Sequence, residues 1–127
     1  MKNILVTILM LSSLMLGISN SQTTKALKPK SFDKELKKDN GVLIDVRTPK
    51  EYAEEHLKGA TMIDYKDSTF SEKVSMLNKN KPVYLYCHSG KRSAAAQDTL
   101  IKQGFKKVVA LKGGITKWKD SGMPVEK

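Results

Sequence analysis

Only one cysteine, Cys87, occurs in the 127 residues. A disulfide within the chain is therefore excluded, and so is a dithiol pair that could cycle through one. No Cys/His spacing of the zinc type is present, so no metal site is expected. Acidic residues are scarce: 13 Asp and Glu stand against 23 Lys and Arg, a formal charge of +10. That imbalance suits nucleic acid, an anionic membrane surface or small anionic substrates. The lysines are spread along the chain rather than gathered in one block. Neither a helix-turn-helix nor an RNA-binding signature accompanies them, so nucleic acid is not an expected partner. The plainer reading is a solvated basic surface, whose field would also draw in a small anion. An uninterrupted apolar run of roughly 20 residues, as a membrane span requires, is missing too.

What is present first is an N-terminal leader pattern. Lys2 precedes a mainly apolar stretch from Ile4 to Ile18, interrupted by Thr7, Ser12, Ser13 and Gly17, and Ser19-Asn20-Ser21 supplies small residues for cleavage. This is the layout of a secretory signal peptide over residues 1–21. A periplasmic or secreted protein is expected, with no stable membrane insertion after cleavage; an uncleaved anchor is the alternative. Residues 22–30 are polar and basic and read as a flexible lead-in to one domain over 31–127, a length that suits a single core. In an exported chain an unpaired cysteine reads as a reactive thiol or an intermolecular partner. A buried inert cysteine is the alternative.

From residue 31 onward, short apolar strands alternate with helical segments. Ser31 can cap a helix over 32–38, ended by Asn40-Gly41. Strands are expected at 42–46, 60–64, 83–86 and 108–111, and helices at 49–57, 70–77, 92–102 and 115–120. Thr48, Pro49 and Glu51 form a capping-box start for the second helix. The alternation predicts an α/β fold with a mainly parallel central sheet flanked by helices on both faces. In such sheets the site lies at the C-terminal ends of the strands. Asp45, Asp64, Cys87 and Gly113 all fall at or just after such ends.

The stretch 83–93, V-Y-L-Y-C-H-S-G-K-R-S, carries the chemistry. Cys87 ends a strand, and a helix begins about six residues later. Backbone N–H groups of the loop and first helical turn favour an anion there, and Lys91 and Arg92 add positive charge. Thiolate rather than thiol is the nucleophile, so these surroundings suit an activated cysteine. Asp45 and Arg47 also invite a catalytic reading. Arg47 can neutralise a bound anion or hold a carboxylate such as Glu51. A Cys–His pair with His56 is a further option, against a structural histidine fixing a turn.

These residues resemble a known family. C-x-S-G-x-R-S after a buried strand is similar to the active-site loop of single-domain rhodaneses, the thiosulfate-type sulfurtransferases. The segment 45–60, D-V-R-T-P-K-E-Y-A-E-E-H-L-K-G-A, resembles the family's first signature block, with Glu55 in place of its usual glycine. L-K-G-G-I-T-K-W-K-D-S-G-M-P-V resembles its C-terminal signature, with Trp118 as a core anchor and Gly113-Gly114 passing close to the loop. With the leader, the resemblance is to the exported, phage-shock-type members.

The resemblance implies a persulfide mechanism at Cys87, with thiosulfate or a similar donor and with cyanide or a thiol as acceptor. It implies no cofactor. His88, Ser89, Gly90, Lys91, Arg92 and Ser93 would bind the donor and the persulfide, with Lys91 and Arg92 on its sulfonate-like end and Ser89 and Ser93 donating to sulfur. Asp45 and Arg47 would support the site, and a monomer is expected. A phosphatase or arsenate reductase is the competing enzyme, but those loops place five residues between cysteine and arginine and this one has four. A sulfur carrier or binding module with little turnover is the non-enzyme alternative.

Overall fold

The structure is a computed structural model, and it describes residues 21–127. The expected signal peptide falls almost wholly outside the described residues. Five strands form one sheet: β1 Thr23–Leu27, β2 Val42–Asp45, β3 Thr61–Met62, β4 Val83–Tyr86 and β5 Lys107–Leu111. Their order is β1-β5-β4-β2-β3, and every pairing is parallel. The helices are α1 Pro29–Asp39, α2 Pro49–Glu54, α3 Phe70–Ser75, α4 Lys91–Lys102 and α5 Gly114–Asp120.

Both faces of the three inner strands β2, β4 and β5 are buried, as is usual in a parallel sheet, while the edge strands β1 and β3 are partly exposed. Alternation along each strand sorts the side chains. Ile44, Val83, Leu85 and Val108 pack under α3 and α4 with Phe70, Val74, Ala96 and Leu100. Leu43, Tyr84, Tyr86, Val109 and Leu111 point the other way, to Phe32 of α1 and Ile115 and Trp118 of α5. Trp118 is the anchor expected of it: its indole N–H donates to Pro124 O at 2.9 Å, and Phe32 meets it edge-on.

The expected N-terminal boundary is overturned. Residues 22–30 are not a flexible lead-in. They supply the edge strand β1 and the first turn of α1, so the compact unit begins about nine residues before the boundary read at 31. β1 pairs with β5 from Thr23↔Lys107 to Leu27↔Leu111. Gln22 Nε2 donates to Ile101 O and Phe105 O at 2.8 Å, and Gln97 Nε2 donates to Lys25 O at 2.9 Å. Main-chain pairing holds this strand, so its side chains can stay polar. Pro29 begins α1 at a position where its missing N–H costs nothing, and Ser31 lies inside the helix instead of capping it. α2 stops at Glu54, short of His56, because Glu55 turns extended.

Candidate active site

β4 and α4 deliver the loop 87–90 to the C-terminal edge of the sheet. Cys87 is 1% exposed, and its sulfur accepts the Gly90 N–H at 3.0 Å. Gly90 caps α4 with φ 109°, a left-handed conformation that favours glycine. The Cys87 thiol donates to Ser93 Oγ at 3.5 Å, while the Ser93 hydroxyl donates to Gly90 O at 3.1 Å. Ser93 thus braces the loop instead of giving its proton to sulfur. Ser89 and His88 are exposed, and neither side chain hydrogen-bonds to the sulfur among the described residues. The first N–H groups of α4, at Lys91, Arg92 and Ser93, belong to the helical turn that lacks partners within its own helix, where an anion is favoured.

A second layer of backbone holds the loop from behind. Ile115 N donates to Cys87 O at 2.9 Å, Thr116 N to His88 O at 3.2 Å, and Thr116 Oγ1 to the same oxygen at 3.0 Å. This approach requires glycine. A Cβ on Gly114 would lie 2.3 Å from His88 O and 2.7 Å from Cys87 O, and its φ is +64°. The nearness of Gly113-Gly114 to the loop, expected from the sequence, is therefore a direct backbone contact.

Arg92 has a partner that sequence reading did not assign. Its NH1 and NH2 bind Glu51 Oε1 and Oε2 at 2.7 and 2.9 Å, a two-pronged pair between the first turns of α4 and α2. Glu51 also accepts from Thr48 N and Thr48 Oγ1, completing the expected capping box. Arg92 foremost, aided by Thr48 and opposed by partial burial, holds the Glu51 carboxyl at about 2. A carboxylate depressed in the folded state stabilises it above the unfolded value of 4.5 and loses that contribution as pH falls through about 2. Glu51→Gln is therefore expected to lower stability at neutral pH and to flatten the loss between those two values. Denaturant unfolding across that range, wild type against variant, checks it; parallel curves would contradict it.

Arg47 does not hold Glu51. It is 3% exposed and paired with Asp45, which is fully buried: Nε reaches Oδ1 at 3.0 Å and NH2 reaches Oδ2 at 2.7 Å. Its NH2 also donates to Glu55 O at 2.6 Å. Tyr86 donates its hydroxyl to Asp45 Oδ2 at 2.6 Å and accepts from Leu57 N at 3.0 Å. Burial, then the Asp45 carboxylate, pushes the Tyr86 phenol up and keeps it a donor. This buried network ties β2 and β4 to the turn after α2. No hydrogen bond joins Asp45 or Arg47 to residues 88–93 among the described residues. His56 is held by its neighbours. It stacks on Tyr52, its Nδ1 lies 2.9 Å from Tyr52 O, and its backbone pairs with Glu126.

The arrangement presents a buried sulfur facing amides, with an exposed lysine at the rim and a neutralised arginine beside it. Such a site suits a sulfur nucleophile and an anion held by N–H groups.

Known proteins carry the same plan. Residues 28–121 match the Rhodanese-like domain family. The thiosulfate sulfurtransferase GlpE of Coxiella burnetii is 40% identical over 85 residues, 66% of this chain and 77% of its own length. The Bacillus subtilis protein named "Putative sulfur carrier protein YrkF" is 32% identical over 100 residues, 78% of this chain and 53% of its own. The chain thus spans only about half the length of that curated relative. A rhodanese-related protein of Thermoplasma volcanium superposes with a TM-score of 0.71 at 29% identity, covering 80% of this chain and 97% of that one. The chain therefore belongs to the rhodanese-like domain family.

Proposed function

We propose that the protein is a sulfurtransferase that moves sulfane sulfur from thiosulfate, or a similar donor, to cyanide or a thiol through a persulfide on Cys87. The observation that carries this reading is the Gly90 N–H directed at Cys87 Sγ at 3.0 Å, on a sulfur flanked by the open N-terminus of α4. The Cys87 thiolate attacks the outer sulfur of thiosulfate. A new S–S bond forms, the bond to the sulfonate sulfur breaks, and sulfite leaves with the electron pair. Cyanide or a thiolate then attacks the outer persulfide sulfur, and Cys87 returns as thiolate. The loop amides hold the charge at both stages, as in an oxyanion hole.

The engagement of Arg92 by Glu51 supports sulfur transfer over phosphate ester chemistry, because the guanidinium fork is already filled by a carboxylate. It also shifts donor recognition toward Lys91, which is exposed and has no ion-pair partner among the described residues. Lys91→Met is expected to raise the KM for thiosulfate about fivefold and to leave kcat within about twofold, the pattern for loss of an exposed charge contact. Thiocyanate release at varied thiosulfate measures both; an unchanged KM would remove Lys91 from that role.

The resemblance to a sulfur carrier supports a second reading, in which the persulfide passes to another protein. Steady turnover with thiosulfate and a small thiol favours the enzyme, and a stable persulfide with negligible turnover favours the carrier. The leader pattern in residues 1–21 supports export to a periplasm or beyond, and a monomer is the simplest assembly for one such domain.

A further inference from the structure

Beside the loop lies a second feature that the persulfide reading does not use. A cleft of about 690 Å3 is lined by Lys28, Lys30, Lys112 and Lys117, with Pro29 and Gly113 between them. The topology gathers these lysines from opposite ends of the chain. Lys28 follows β1 and Lys112 follows β5, whose last residues Leu27 and Leu111 are paired, and Lys112 N donates to Leu27 O at 2.8 Å. Lys30 sits in the first turn of α1. Lys117 of α5 folds back so that a Cβ on Gly113 would lie 2.1 Å from its Cγ.

All four side chains are exposed, and none forms an ion pair among the described residues. The acids of α1 are occupied elsewhere: Asp33 pairs with Lys37, Glu35 with Lys25 and Lys107, and Asp39 with Lys107. Among the described residues, no carboxylate lines the opening. Four like charges about one cleft repel one another until a counter-charge of similar density enters. A single tetrahedral anion is far too small, since clefts of about 300–1,000 Å3 hold ligands of drug or nucleotide size. Clustered phosphates match ammonium groups as point charges, and Pro29 and the lysine stems offer apolar walls to the rest of a ligand.

We propose that this cleft binds a small molecule carrying two or more clustered phosphate groups. The site is separate from the sulfur loop but adjoins it, because Gly113 backs onto Gly90: a Cβ on Gly90 would lie 3.6 Å from Gly113 N. The proposal does not depend on the persulfide chemistry.

The test is equilibrium titration of the full chain with inorganic tripolyphosphate and, separately, ADP. K28Q/K30Q/K112Q/K117Q is expected to weaken binding at least about tenfold, whereas K58Q/K66Q/K81Q/K127Q, an equal loss of charge elsewhere, should change it less than about threefold, as expected for local over screened charge. Circular dichroism confirms that both variants are folded. Tighter binding of ADP than of tripolyphosphate would identify a nucleotide as the source of the phosphates, and the reverse order a free oligophosphate. Equal weakening in both variants, no binding, displacement by thiosulfate at equal concentration, or stronger binding of a hexaglutamate peptide would overturn the proposal. Cys87→Ser should bind tripolyphosphate like the wild type, which separates this outcome from any failure of sulfur transfer.

Discussion

Cys87→Ser is expected to abolish sulfur transfer while leaving the fold in place. The side chain is 1% exposed and sits among Val46, Leu85 and Ala96, so a smaller oxygen leaves only a slight void. Serine Oγ can still accept the Gly90 N–H and meet Ser93. Stability should change by no more than about 2 kcal/mol, the scale for burying a hydroxyl that keeps its hydrogen bonds. Activity should fall at least about a thousandfold, because a hydroxyl at neutral pH is neither ionised nor able to form the persulfide. Thiocyanate release and denaturant unfolding on the same samples check both halves. Residual turnover near the wild-type rate would contradict the mechanism, and loss of the folded state would contradict the structural account.

Gly114→Ala is the second large effect. The added methyl would stand 2.3 Å from His88 O and 2.7 Å from Cys87 O, both backbone atoms of the cysteine loop, at a φ of +64°. Neither carbonyl can move freely, since Ile115 and Thr116 hold them. Backbone strain of about 1 kcal/mol adds to the overlap, and the total should reach about 3 kcal/mol or more. Persulfide yield should fall with it, because relief of the clash displaces Cys87. Gly122 is the internal control: its φ is +79°, but nothing lies within 4 Å of its Cβ position. Gly122→Ala should cost only the backbone share, about 1 kcal/mol. Equal costs in the two variants, measured by denaturant unfolding, would show that close approach to the loop is not what Gly114 provides.

Local signals in the chain were readable and long-range ones were not. The strand Val83–Tyr86 was legible because four apolar residues lie between a proline turn and a polar loop. The capping box at Thr48 was legible because its parts are three residues apart. β1 was not, because Thr23-Thr24-Lys25-Ala26-Leu27 has a mostly solvent-facing edge whose stability comes from pairing with β5, some 84 residues later. Its two adjacent threonines were the available hint. The Glu51–Arg92 pair spans 41 residues and exists only because β2 and β4 are neighbours, which brings the first turns of the helices that follow them within reach of each other. The lysine cleft likewise depends on β1 lying beside β5. Asp45 and Arg47 illustrate the opposite case: charged residues at a strand end suggest chemistry, but a partner two residues away and a tyrosine on the next strand bury them as architecture.

Intact mass after incubation of the protein with thiosulfate tests the central claim most directly. A persulfide on Cys87 should appear as a gain of one sulfur atom, about 32 Da, that is absent in Cys87→Ser and reversed by cyanide with release of thiocyanate, the first half of covalent catalysis made visible. An unchanged mass with thiosulfate and with other sulfane donors, or the same gain in Cys87→Ser, would contradict it.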